Sequence, residues 1–315
     1  MNRAAVLLLL AVETAAAQAP APLLWRAPRP LTAQDWICGP GGCDGAPRPP
    51  FRFLKEDPSG TTPKVTLRDA RDRTWSVKFG AEVIPECFAP RFLAALGYFG
   101  ESNYFVAQGR IGEVGKLSRA RRMVKPDGAF ARARFEPRDD PGMQFLQGRV
   151  WSWADSPFRG TRELAGLKIA MMLLSNWDAK DARNTGDSNN GVFRVPLEGR
   201  AADVFSVFDW GAALGRWGDV LRRDRSDCAG FALDSPHFVT GVRSGLVEFG
   251  FAGKHGADLK SGITVEDVRW LVRYLDAITP AELQDGLRAS GATQRQAGCW
   301  AGSIEQRIAE LRAVR

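Results

Sequence analysis

The apolar periodicity of this chain changes partway along it, and the change limits what it can fold into. In TWSVKFG, residues 74–80, apolar side chains recur at Trp75, Val77 and Phe79. That spacing of two puts one face of a strand against a core. FRFLKED (51–57) and KVTLRDA (64–70) read as strands flanking DPSGTTP, and SNYFVAQG (102–109) as a further strand. In GTRELAGLKIAMMLLSNW (160–177) the pattern turns helical: Leu164, Leu167, Ile169, Met171, Leu173 and Leu174 form a broad apolar face. Helix starts follow at Thr264 with Asp267, Thr279 with Glu282, and Ser303 with Gln306, each a cap residue three before an acid or amide, and Gly291 ends the second of these helices. Residues 110–149 read as charged and irregular, holding a connection near 133–137. Strands gathered early and helices late predict an α+β, two-lobed chain: a small β-rich lobe with one helix, then a larger helical lobe.

Residues 1–19 read as a secretory leader, with Arg3, an apolar stretch from Ala4 to Val12, and Ala15, Ala16 and Ala17 as a small-residue cleavage site. No later stretch approaches 18 uncharged apolar residues, so no transmembrane segment is expected. The expected location is secreted or periplasmic, with residues 20–50 a Pro/Gly-rich arm. The five cysteines fit export. Cys38 and Cys43 bracket GPGG and are expected to bridge, Cys87 to be a buried free thiol, and Cys228 with Cys299 is a second pairing that sequence leaves open. A net charge of +7 suggests attraction to acidic surfaces or phosphates. The basic residues are dispersed and no nucleic-acid motif accompanies them, so nucleic acid is not an expected partner. Arg222 to Arg225 read either as a basic patch near the proposed site or as a solvated loop with internal ion pairs. With only two histidines, His237 and His255, read as turn and loop residues, a zinc site built on several histidines is excluded.

SNWDAKDARNTG (175–186) is followed by VFSVFDWGAALG (204–215). Taken alone, the first segment reads as a hydrophilic turn rich in Asp and Asn. A calcium loop fails at Arg183 and Val192, and Gly253-Lys254 lacks the rest of a phosphate-binding loop. Together with Lys78 and Glu86, however, the chain order Lys78, Asp178, Asn184, Asp209 resembles the active site of kinase-like phosphotransferases. HRDxxxxN and VAIK are absent. The resemblance is to atypical kinases: the phosphatidylinositol kinase-like, HipA, CotH and secretory-pathway casein kinase families.

The resemblance implies a two-lobed protein-kinase-like fold, with an N-lobe over 51–135 and a helical C-lobe over 136–315. It implies an exported phosphotransferase using ATP with Mg²⁺ or Mn²⁺, transferring a phosphoryl or a nucleotidyl group to an unknown acceptor: protein, lipid or small molecule. A catalytically inactive, pseudokinase-like binding module is the alternative, and a metal-dependent hydrolase a third. Lys78 would hold the nucleotide phosphates, paired with Glu86 on the helix PECFAPRFLAALGYF, with Glu82 as the other candidate partner. Pro90 either kinks that helix or starts it, leaving Glu86 on the preceding loop. Ser59, Gly60 and Thr61, with Thr62, either cover the phosphates or form an ordinary turn. Asn184 and Asp209 would bind the metal. Asn184 lies six residues after Asp178, where kinases have five, so either Asp178 or Asp181 stands beside the acceptor hydroxyl. Oligomeric state is open.

Overall fold

The computed structural model describes residues 20–28, 34–139, 142–183, 188–218, 223–224, 226–254 and 256–315. The leader, the metal-ligand assignment of Asn184 and the readings of His255, Arg222 and Arg225 lie outside those residues. After β1 (Ala21–Leu23) come β2 (Phe51–Asp57), β3 (Lys64–Arg68), β4 (Thr74–Phe79), α1 (Val83–Ala95), β5 (Tyr104–Gly112) and β6 (Ala129–Pro137). Strands β2, β3, β4, β6 and β5 close into a barrel, sealed where Phe51 and Arg52 of β2 pair in parallel with Ile111 and Gly112 of β5. Val65, Leu67, Trp75, Val77, Phe79, Phe130 and Phe135 fill it. Because alternation sends Trp75, Val77 and Phe79 inward, Lys78 emerges on the other face of β4, opposite Arg134 of β6.

The next elements are β7 (Gln144–Val150), α2 (Arg162–Leu173), β8 (Asn190–Leu197) and β9 (Arg200–Val207). They include a four-stranded sheet in the order β1, β9, β8, β7, with β1 parallel to β9. Two hairpins follow: β10 (Arg216–Trp217) with β11 (Arg223–Asp224) and, after α3 (Cys228–Asp234), β12 (Val239–Arg243) with β13 (Leu246–Phe249). The chain closes with α4 (Gly256–Lys260), α5 (Val265–Leu275), α6 (Pro280–Ala289) and α7 (Gln294–Arg312).

This architecture corrects the expected fold class, a two-lobed protein-kinase-like α+β fold with a helical C-lobe. Strand and helix contribute nearly equal shares, and the early strands form a closed barrel. Sheet structure continues well past residue 136, because Val192, Phe193, Val195, Val204, Phe205 and Val207 are β-branched or aromatic and buried in β8 and β9. Residues 110–149 are not irregular either, since they hold the end of β5, all of β6 and most of β7. The apolar signal of β6 is weak because small alanines alternate with arginines, one of which, Arg134, is buried.

Pro90 lies inside α1, and Glu86 is on the helix in its first turn. Thr264 and Thr279 cap α5 and α6 through reciprocal bonds with Asp267 and Glu282. Gly291 ends α6 at φ 98°, where the aromatic ring of Phe105 leaves no room for a Cβ. The start placed at Ser303 is a correction: α7 begins at Gln294 under a Thr293/Gln296 capping box, and Ser303 sits mid-helix with its hydroxyl on Cys299 O at 3.2 Å. Cys38–Cys43 and Cys228–Cys299 are disulfides, and Cys87 is free and buried. No helix among the described residues is long and apolar enough to cross a membrane.

Candidate functional site

Helix α2 delivers the acidic segment. Its C-terminal end is held by the buried Arg307 of α7, which donates to Leu173 O at 2.9 Å, to Ser175 Oγ at 2.7 Å and to Phe231 O at 2.8 Å. The chain then turns at Ser175, whose φ of 48° redirects it. The buried Asn176 donates to Asp209 O at 2.9 Å, tying this segment to the one after β9. Asn189 donates to Asp178 O at 2.8 Å, and Lys254 N to Trp177 O at 2.8 Å. Four backbone or side-chain bonds from distant elements therefore fix the position of residues 175–178.

Lys78, Glu82, Asp178 and Asp209 line one cleft of about 260 Å³ together with Gly60, Thr61, Thr62, Lys64, Lys180 and Gly211. Lys78 Nζ lies 3.0 Å from Glu82 and also contacts Glu86. Both candidate partners of the lysine are thus engaged at once. Glu86 Oε2 meets Arg134 Nε at 2.8 Å, and Arg134 in turn pairs with Glu136. Burial works against the Lys78 ammonium, as does Arg134, but Glu86, Glu82 and Asp209 outweigh them and hold its pKa above the ordinary lysine value. Burial pushes the Glu86 carboxyl upward, against Arg134 and Lys78. The upward directions of the two partners conflict, since a raised carboxyl argues for neutrality. A cation on each carboxylate oxygen is the arrangement of the ionised acid, so we take the pair as charged.

The two candidate carboxylates separate clearly. Asp178 faces the cleft, and its shielded Oδ1 has no hydrogen-bond partner among the described residues. Asp181 is fully buried away from it, accepting from Trp153 N at 3.1 Å and Arg183 N at 3.0 Å. Arg183 also bridges Asp181 and Asp258, at 2.5 and 2.9 Å. Burial would raise the Asp181 pKa, but Arg183 and the Trp153 amide lower it below the usual carboxylate range. Asp181 therefore anchors the loop.

Asp209 Oδ1 accepts from Gly211 N at 3.1 Å, which orients the carboxylate just beyond β9. Gly211 allows the Glu82 side chain to approach closely, since a Cβ there would lie 2.8 to 3.0 Å from it. Gly60 and Thr61 reach the cleft and Ser59 does not, its amide instead bonding Asp57 at 2.9 Å. Arg119, which the sequence did not single out, donates to Gly60 O at 2.8 Å and Thr61 O at 2.6 Å and so pins that hairpin loop. Arg134, Arg183 and Lys180 were also missed; only their partners' positions would have revealed them.

Asp178, Asp209 and Glu82 share the cleft without closing into a cage. Among the described residues the one tight group of metal-type donors is Asp35, Cys38 and Cys43, whose sulfurs are already bonded to each other. An open pair of carboxylates suits Mg²⁺, which takes one or two protein oxygens and completes its shell with water and phosphate. A larger cavity of about 1170 Å³ lies beside the N-terminal arm, where Arg26, Arg73 and Asp139 are the charged residues among those described. The convergence of chemistry favours the smaller cleft. No protein-family model, curated protein or solved structure matches the chain.

Proposed function

We propose that the cleft transfers a phosphoryl group from metal-bound ATP to a hydroxyl acceptor, and that the resemblance to atypical kinases is one of chemistry. The observation that carries this reading is the meeting of Lys78, Asp178 and Asp209, from three distant stretches, in one cleft. Lys78 neutralises phosphate oxygens. Asp209 offers oxygens to Mg²⁺ or Mn²⁺, which would supply electrostatic stabilisation of the phosphates. The acceptor O–H loses its proton to Asp178, its oxygen bonds to the γ-phosphorus, and the bond from that phosphorus to ADP breaks with its electron pair going to ADP. Asn184 would complete the metal site, as the resemblance implies. The two disulfides fit an oxidising compartment, and we place the protein outside the cytoplasm.

A non-catalytic binding module is the second reading, favoured by one feature. Glu82 already engages Lys78 within the cleft, where an active enzyme needs that lysine for phosphate. Binding to the folded state stabilises by about 2.7 kcal/mol at a hundredfold excess over Kd. Mg²⁺ with ATP should therefore raise the Tm of the wild type, and Asp209→Ala should lose most of that rise while melting cooperatively. Incubation with γ-labelled and α-labelled ATP separates phosphoryl from nucleotidyl transfer. Absence of any metal-dependent nucleotide shift in the wild type removes the enzyme reading.

A further inference from the structure

A second cavity, of about 250 Å³, lies where β6 leaves the barrel, and its chemistry differs from that of the cleft. One wall is aromatic. The ring of Phe145 lies 5.3 Å from that of Phe193 and 5.8 Å from that of Phe208, and the Phe193 and Phe208 rings are 6.4 Å apart, nearly perpendicular. Gly191 permits this packing, since a Cβ there would come within 2.7 Å of Phe208 and 2.8 Å of Phe145. Phe145 remains 43% exposed, so the wall has an uncovered aromatic face. The polar side carries the carboxyl groups of Glu101 and Glu136.

The surrounding charges are unevenly shared. Arg134 pairs with Glu136 and, on its other side, with Glu86. Arg138 on the rim lies 3.8 Å from Asp57. Among the described residues no cation is in ion-pair contact with Glu101.

We propose that this cavity binds a small organic ammonium ion, its cationic head on Glu101 and Glu136 and its apolar body against the three phenylalanines. Phenyl faces and carboxylates together attract such an ion, and they do so without relying on the phosphotransfer reading. The volume suits one ring with a short amine-bearing arm. Burial, and then Glu136, hold the Glu101 carboxyl well above its ordinary pKa, while Arg134 holds that of Glu136 low against burial. The empty cavity therefore favours the protonated form of Glu101 more than solvent does. An arriving ammonium favours the ionised Glu101 carboxylate, any proton displaced from it leaves to solvent, and affinity rises with pH.

Benzylammonium is the probe, and benzyl alcohol its uncharged counterpart. Calorimetry in two buffers of different ionisation heat should show saturable benzylammonium binding with proton release, and benzyl alcohol should bind at least tenfold more weakly. Phe145→Ala, truncating a half-exposed ring, and Glu101→Gln should each weaken benzylammonium at least tenfold while the Tm shows the protein folded. Equal affinity for the two probes would overturn the assignment, as would full affinity in both variants. Adenosine bound there in place of benzylammonium, and lost in Phe145→Ala, would also overturn it, making the cavity a base-binding extension of the cleft.

Discussion

Glu86 carries more of the structure than its position on one helix suggests, because it neutralises Lys78 from β4 and Arg134 from β6 simultaneously. Removing its charge leaves a buried guanidinium without its main counter-ion, a change that typically costs about 3 to 5 kcal/mol. Glu86→Gln is therefore expected to lower the urea-derived unfolding free energy by about 3 kcal/mol. A loss under about 1 kcal/mol would mean that Glu136 alone suffices for Arg134. The lysine and its helix partner were legible in the sequence, since strand alternation fixes the face of Lys78 and the apolar run marks α1. Arg134 was not legible: a charged residue inside a strand looks solvated until the carboxylates it meets are known. For the same reason the sequence could not choose between Asp178 and Asp181, because the choice turns on Arg183 and the Trp153 amide.

Among the elements, β2, β3, β4, β5 and α2 fall where periodicity put them, because each pairs or packs with an apolar face that its own sequence displays. Strands β6 and β7 escaped notice because their alternating positions carry alanine, glycine, glutamine and arginine as often as branched residues. The misplaced start of α7 has a different cause: Thr293/Gln296 and Ser303/Gln306 share one capping pattern, and only the buried Ala297, Trp300 and Ala301 show that the helix is already running between them. Helix α7 is also tied covalently to α3. The Cys228–Cys299 bridge closes 71 residues of sequence, whereas Cys38–Cys43 closes five. Chain-entropy arguments assign about 4 kcal/mol to the first loop and about 2 kcal/mol to the second. Replacing Cys228 and Cys299 with alanine should accordingly lower the denaturant midpoint more than replacing Cys38 and Cys43, and the reverse order would show that α3 and α7 hold together without the link.

Across the whole molecule, the expected helical lobe failed because separate apolar runs do not reveal their pairing; β1, β7, β8 and β9 become one sheet only through contacts between distant segments. Acid stability is likewise collective. Burial would raise the pKa of Glu56, but the backbone amides of Ala120, Ser118 and Arg119 and the Ser118 hydroxyl bring it down to about 2. Burial of Asp57 is likewise outweighed by Ser59 and Lys64, leaving its pKa at about 2. Both folded-state values lie below the unfolded ones of roughly 4, so these groups stabilise fully above about pH 5, and their contribution is lost as pH falls toward 2. Urea midpoints measured from pH 6 to 2 should fall across that window, and Glu56→Gln should flatten the slope. An unchanged slope would assign the acid response to other carboxylates.

The pairing of β1 with β9 also sets an order of events. Ala21–Leu23 adds to the sheet edge against Ala202, Asp203 and Val204, so the segment made early in synthesis has no partner until most of the chain has followed it. Closing so long a loop before other contacts exist is entropically unfavourable, while the barrel can form from strands close together in sequence. A chain emerging from its N terminus completes the barrel first and docks the edge strand late. Trp25 and Arg26 are held by Leu96 and Gly97 just after α1, so the part of the arm that waits for β9 is the strand Ala21–Leu23 itself.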